Sequence, residues 1–232
     1  MKQEIQQLAG GLVVSCQPLP ESPMNRPDIV VAMASAAMQA GAAGLRIEGA
    51  EHVRLVRQSL PDACITGIIK RDLTESDVRI TPFLEDVKSL ASAGATIIAF
   101  DATARGRPVS VQHLFQAVKQ AGCLAMADCA TLADGILAWD IGCDLVGTTL
   151  SGYTAETADQ DMSAPDTLLI SQLAQRGIRV MAEGRIRTPA DAQRALSAGA
   201  FSVTVGSAIT RIEHVTAWFG DALRELQTAE GG

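Results

Sequence analysis

One pattern dominates the chain. Short apolar runs alternate with helix-length amphipathic segments, and a glycine repeatedly closes the helix before the next run begins. The runs are Gly11–Gln17, Gly44–Ile47, Cys64–Lys70, Thr96–Asp101, Leu124–Asp128, Leu145–Thr149, Arg179–Arg185 and Ser202–Ser207. Helical segments are expected near 29–40, 50–58, 83–93, 110–121, 131–141, 165–176, 189–198 and 212–227. Gly41, Gly94, Gly122, Gly142, Gly177 and Gly199 stand where a left-handed residue ends a helix. Eight such units in 232 residues predict a (β/α)8 barrel spanning the whole chain (1–232), a fold of typically about 250 residues. A doubly wound sheet is the competitor, but no unit carries a dinucleotide fingerprint. Residues 2–9 read as a short helix that closes the bottom of the barrel.

Composition narrows the partners. Aromatics are only 3%, so Ala, Val, Ile and Leu must fill the core. The net charge of −7 argues against nucleic acid, whose phosphates demand basic stripes. No apolar run reaches the ~20 residues of a membrane helix, and the N-terminus has no signal-peptide pattern. Five cysteines without metal-type pairing read as reduced, buried thiols in a cytoplasmic protein. His52, His113 and His214 fall in helical segments, away from strand ends, and are read as surface or interface residues. No metal site is therefore expected, and with no dinucleotide fingerprint no nicotinamide cofactor is expected either. Trp139 and Trp218 are read as packing residues.

Strand parity then selects candidate side chains, because alternate residues point into a barrel. The inner set contains Ser15 and Gln17, Arg46, Thr66 and Lys70, Met126 and Asp128, and Glu183 with Arg185. Gln17, Arg46, Lys70, Asp128 and Glu183 sit at or near C-terminal strand ends, where barrel active sites form. Two basic and two acidic groups on one mouth suit catalysis better than stability, since buried ion pairs contribute little to folding. Gly184 and Arg185 follow the seventh run; Gly206 and Ser207 follow the eighth. Glycine admits a phosphate close to backbone N–H groups, so these four residues are expected to hold one. The polar loop Asp101–Pro108 reads equally well as a solvated loop or as an edge of the site.

GLVVSCQPLP, MASAAMQAGAAGLRIEG, TGIIKRD, VGTTLSGYT, VMAEGR and VGSAITR, spread over nearly the whole chain, resemble the N-acylglucosamine-6-phosphate 2-epimerases, which act on N-acetylmannosamine 6-phosphate. The resemblance implies a phosphate-binding barrel that forms N-acetylglucosamine 6-phosphate in amino-sugar or sialic acid catabolism. By matching motif position it puts the catalytic lysine on Lys70 and its partner glutamate on Glu183. It puts substrate contacts on Gln17, Arg46, Asp128, Tyr153, Arg185 and Arg211, with phosphate near Gly184, Gly206 and Ser207. Leu73, Arg79 and Ile212 depart from the family pattern, which favours aromatic residues at the first two and proline at the third. Two further readings stay open: a class I aldolase-type lyase with Lys70 as Schiff base, and a phosphosugar-binding barrel without catalysis. With the resemblance, the apolar face of 212–227 (Val215, Trp218, Phe219, Leu223, Leu226) implies a homodimer.

Overall fold

A computed structural model describes residues 3–230 of the chain, with side chains to residue 224. The strands are β1 (Leu12–Cys16), β2 (Gly44–Glu48), β3 (Ile65–Ile68), β4 (Ile97–Asp101), β5 (Leu124–Asp128), β6 (Leu145–Gly147), β7 (Val180–Glu183) and β8 (Ser202–Val205). The helices are α1 (Gln3–Gln6), α2 (Pro27–Gln39), α3 (Ala50–Ser59), α4 (Leu84–Ser92), α5 (Val111–Gln120), α6 (Leu132–Asp140), α7 (Thr167–Ala174), α8 (Pro189–Ser197), α9 (Ser207–Thr210) and α10 (Ile212–Glu230). All strand pairings are parallel and follow sequence order, and β8 returns to β1 with Leu12, Val13 and Val14 beside Val203, Thr204 and Val205. The expected (β/α)8 barrel is the observed fold.

Local chemistry explains the regularity. The six helix-closing glycines all take positive φ, between 74° and 105°, which a Cβ would strain. Thr131 and Thr188 start α6 and α8 with reciprocal capping boxes to Asp134 and Asp191, satisfying N–H groups that the helix itself cannot. The outer faces of the strands pack Val14, Leu45, Ile47, Ile65, Ile98, Phe100 and Val146 against the helices. Inside, Val13, Cys64, Ile97, Leu124, Leu145 and Met181 fill the lower barrel. Ile5 and Leu8 from the N-terminal segment plug it from below, as the sequence implied.

Two features were not anticipated. The apolar run at Cys64–Lys70 yields a strand only to Ile68; Lys70 then pairs antiparallel with Ile80. Residues 70–80 therefore form a hairpin-like loop over the mouth, held by Arg71 N–H donating to Arg79 O and Thr81 N–H to Ile69 O. The short helix α9 is the second feature. It is tied to β1 by the Thr210 hydroxyl donating to Ser15 O at 2.6 Å. After it, α10 leaves Ile212, Phe219 and Leu223 exposed; Leu226 lies outside the described side chains. Among the described residues, no helix is long and apolar enough to cross a membrane. All five cysteines are buried, and burial alone pushes the Cys16 thiol up to about 12.

Candidate active site

The C-terminal ends of the strands surround a cavity of two lobes, each of about 440 Å³. Gln17, Lys70, Thr149, Tyr153, Glu183 and Arg211 line both. The first lobe continues to Gly184, Gly206 and Ser207. The second continues to Arg46, Asp101 and Arg105 under the 70–80 loop. The strand ends thus bring ten of the eleven expected site residues to one or both lobes, and Asp128 lies directly beneath.

The floor is a buried charged group. Arg46 is 1% exposed and Asp128 is fully buried, and the Arg46 Nη2 to Asp128 Oδ2 distance is 2.6 Å. The Thr149 hydroxyl donates to the other Asp128 oxygen at 2.6 Å. Arg46 Nε lies 3.4 Å from Glu183 Oε1, close enough for charge attraction but without hydrogen-bond geometry. Glu183 Oε2 has no partner among the described residues. Thr148 clamps the Glu183 backbone from both sides: its hydroxyl donates to Glu183 O at 2.9 Å and accepts from Glu183 N–H at 3.1 Å. The Glu183 backbone is therefore fixed at the cavity wall.

Burial raises the Glu183 pKa to about 7, and the Asp128 carboxylate adds to the rise, against the pull of Arg46 and Lys70. Lys70 moves the other way. Burial lowers it to about 8, and the Arg46 and Arg211 cations push in the same direction, opposed by Glu183 and Glu48. Two groups of opposite type in one cavity are thus brought close to neutrality, the signature of an acid–base pair. In a closed ring of eight strands, β3 and β7 stand on opposite sides; Glu183 ends β7, and Lys70 follows β3 by two residues, in the bridge to Ile80.

The glycine-rich end is shaped by backbone. Gly184 takes φ 110°, a conformation almost reserved for glycine, and Arg185 follows in the left-handed region at φ 58°. This turn ends the strand alternation; Arg185 still lines the first lobe. Its Nε donates to Ala164 O at 2.7 Å and its Nη1 to Ser151 O, pinning the β6–α7 loop, with Tyr153 6.0 Å beneath. A Cβ at Gly206 would lie 3.3 Å from that of Ser15, so β1 and α9 approach closely there. Arg211 Nε donates to Gln17 O at 3.0 Å, and Gln17 Nε2 to Ser15 Oγ at 2.7 Å.

Several lining residues were missed or misplaced by sequence reasoning. His214 and Trp218, read as surface and packing residues, line the first lobe because α9 swings the start of α10 over the mouth. Arg187 lies 5.5 Å over the Trp218 ring. His52 and His113 do sit on helices away from the mouth. Thr148 and Thr149 could have been found, since they end the sixth run inside VGTTLSGYT. The open question over Asp101–Pro108 resolves in favour of a site edge. Asp101 is fully buried, accepts from Thr103 N–H and hydroxyl at 2.9 and 2.7 Å, and pairs with Arg105 at 2.5 Å. Among the described residues, no group of three or more His, Cys, Asp or Glu is placed to hold a metal ion.

Known proteins resemble this chain over almost its whole length. A family model described as N-acetylmannosamine-6-phosphate epimerase matches residues 30–225. A protein of Yersinia pseudotuberculosis serotype O:3 (strain YPIII), named N-acetylmannosamine-6-phosphate 2-epimerase, is 57% identical over 221 residues, covering 95% of this chain and 93% of its own. The solved structure of the N-acetylmannosamine-6-phosphate 2-epimerase from Clostridium perfringens superposes with a TM-score of 0.91 at 39% identity, covering 95% of this chain and 96% of that one. Deoxyribose phosphate aldolase from Aeropyrum pernix shares the fold alone, with a TM-score of 0.64 at 18% identity and coverage of 93% and 97%.

Proposed function

The chain belongs to the N-acetylmannosamine-6-phosphate 2-epimerase family, and from that premise we propose how its residues interconvert N-acetylmannosamine 6-phosphate and N-acetylglucosamine 6-phosphate. Family membership supports epimerisation over the aldolase and binding-only readings. The reaction inverts C2. The proton on C2 becomes acidic only beside an aldehyde, so the ring opens first. Neutral Lys70, or ionised Glu183, then takes the C2 proton, and the other group in its acid form returns one to the opposite face. Enediolate charge develops over the Arg46–Asp128 floor, where the guanidinium supplies a preorganised positive field. The observation that carries this reading is that Glu183, at the end of β7, and Lys70, two residues beyond β3, line one cavity, each moved toward neutrality.

Phosphate sits in the first lobe, against the Gly184 turn, Gly206 and Ser207, with Arg211 beside it. Gln17 and Tyr153 contact the sugar. Arg185 acts by fixing the β6–α7 loop that presents Tyr153. No cofactor enters the reaction. The exposed apolar residues Ile212, Phe219 and Leu223 support a homodimer formed through α10, and buried thiols suit a cytoplasmic enzyme of amino-sugar breakdown.

Turnover in D2O tests the chemistry. Product must carry deuterium at C2, because a lysine ammonium exchanges its hydrogens with solvent. Epimerised product with hydrogen retained at C2 throughout would exclude solvent-exchanging proton transfer, and a borohydride-trapped adduct would restore the Schiff-base reading.

A further inference from the structure

Among the described residues, three buried side-chain polar atoms lack a hydrogen-bond partner: Arg46 Nε, Glu183 Oε2 and Thr204 Oγ1. Two belong to the charged group already described. Thr204 does not. It is 2% exposed, lies within β8 between Val203 and Val205, and lines the first lobe beside Glu183. A buried hydroxyl left unpaired is destabilising. Valine has the same shape and the same preference for strands, so packing alone gives no reason for the hydroxyl.

Register shows what passes over it. Thr204 stands opposite Glu183 across the β7–β8 ladder, a spacing of about 4.8 Å. Gly206 lies two residues further along, about 6–7 Å. A sugar with C2 at Glu183 and its C6 phosphate at Gly206 must lay the intervening carbons across Thr204. Of the oxygens on those carbons, O5 is the one nearest the phosphate. It is also the one that changes character. Ring opening breaks the C1–O5 bond, turns C1 and O1 into the aldehyde with loss of the O1 proton, and leaves a proton on O5. The released O5–H can donate to Thr204 Oγ1, whose own proton is neither gained nor lost.

We propose that Thr204 is a substrate-binding residue whose otherwise unpaired hydroxyl holds O5 of the ring-opened sugar, between the phosphate and the acid–base pair. The inference rests on the epimerase reading, and the experiment separates the two. Thr204→Val and Thr204→Ser are compared with wild type on N-acetylmannosamine 6-phosphate, and with its 5-deoxy analogue as a competitor, which need not turn over. Thr204→Val should lower kcat/KM about 10-fold or more on the natural sugar, the loss of one hydrogen bond in a dry site. Thr204→Ser should recover most of it. The thermal midpoint of Thr204→Val should be unchanged or higher, because an orphaned hydroxyl is removed. The 5-deoxy analogue should inhibit wild type and Thr204→Val equally. Full activity in Thr204→Val, a serine variant as poor as valine, or a valine penalty that persists with the 5-deoxy analogue would each overturn the assignment. A wild-type enzyme inactive on the natural sugar would instead remove the epimerase reading.

Discussion

At the N-terminal ends of the strands, Val13, Ile97, Leu124, Leu145 and Met181 meet Ile5 and Leu8, and none is more than 2% exposed. Two or four residues further along four of those strands, the same inner face carries Ser15, Asp101, Asp128 and Glu183. β2 shows the change most sharply, with Gly44 below and Arg46 above. The lower half is stabilised by apolar area removed from water, at about 25 cal/mol per Å². The upper half buries charge, whose desolvation largely offsets the attraction within each pair. Stability and chemistry are therefore divided along the barrel axis, on one continuous set of strands.

Breaking the upper half at its most active point should give the largest effect. Lys70→Ala should lower kcat by on the order of 10⁴-fold, the upper range for a general acid–base group, with the fold intact. Steady-state kinetics beside a melting curve would check this; retention of a tenth of the activity would end the assignment of Lys70. The matching change below is Leu124→Ala. It should cost about 2–5 kcal/mol in denaturant unfolding while leaving kcat/KM of the folded fraction unchanged.

Titration sharpens the contrast. The pair requires one member protonated and the other not, so kcat/KM should follow a bell with apparent limbs near 7 and 8. Asp128→Asn removes a charge that raises Glu183, so the limb near 7 should move to lower pH. A limb that stays in place would detach it from Glu183. Stability has its own signature. Folded Glu183 holds its proton more tightly than the unfolded chain does, so its contribution falls as pH rises from about 4.5 to 7. Folded Lys70 holds its proton less tightly, so its contribution rises with pH from about 8 to 10.5. Glu183→Gln and Lys70→Met should flatten these slopes in turn, as measured by urea midpoints across pH.

The smallest effect is expected at Arg79, one of the departures from the family pattern. Its pairing with Asp72 is solvent-exposed at 56% and 84%, so Arg79→Ala should change stability by less than about 0.5 kcal/mol. Because Arg79 also lines the second lobe, any change in KM for substrates with a larger N-acyl group would report on the 70–80 loop rather than on the fold.

Much of this molecule was legible in the chain itself. Strand and helix follow from local periodicity and from glycines that only a helix end needs, and eight repeats of one unit leave little but a closed barrel. Strand parity was enough to gather Arg46, Asp128 and Glu183, because alternation is a backbone property that holds until the strand stops; Lys70 reaches the same cavity two residues beyond β3. Parity also brought Arg185 to the first lobe, but it could not show that two successive positive-φ residues, Gly184 and Arg185, end the alternation and let the guanidinium bond a neighbouring loop. The tertiary structure alone decided the rest. Closure of β8 on β1 sets Thr204 opposite Val13 and lets α9 dock on Ser15, which carries His214 and Trp218 to the mouth. Folding of the 70–80 segment over the Asp101–Arg105 pair builds the second lobe. These contacts join residues distant in sequence, and their geometry depends on how the ring closes. No local pattern of hydrophobicity carries that information.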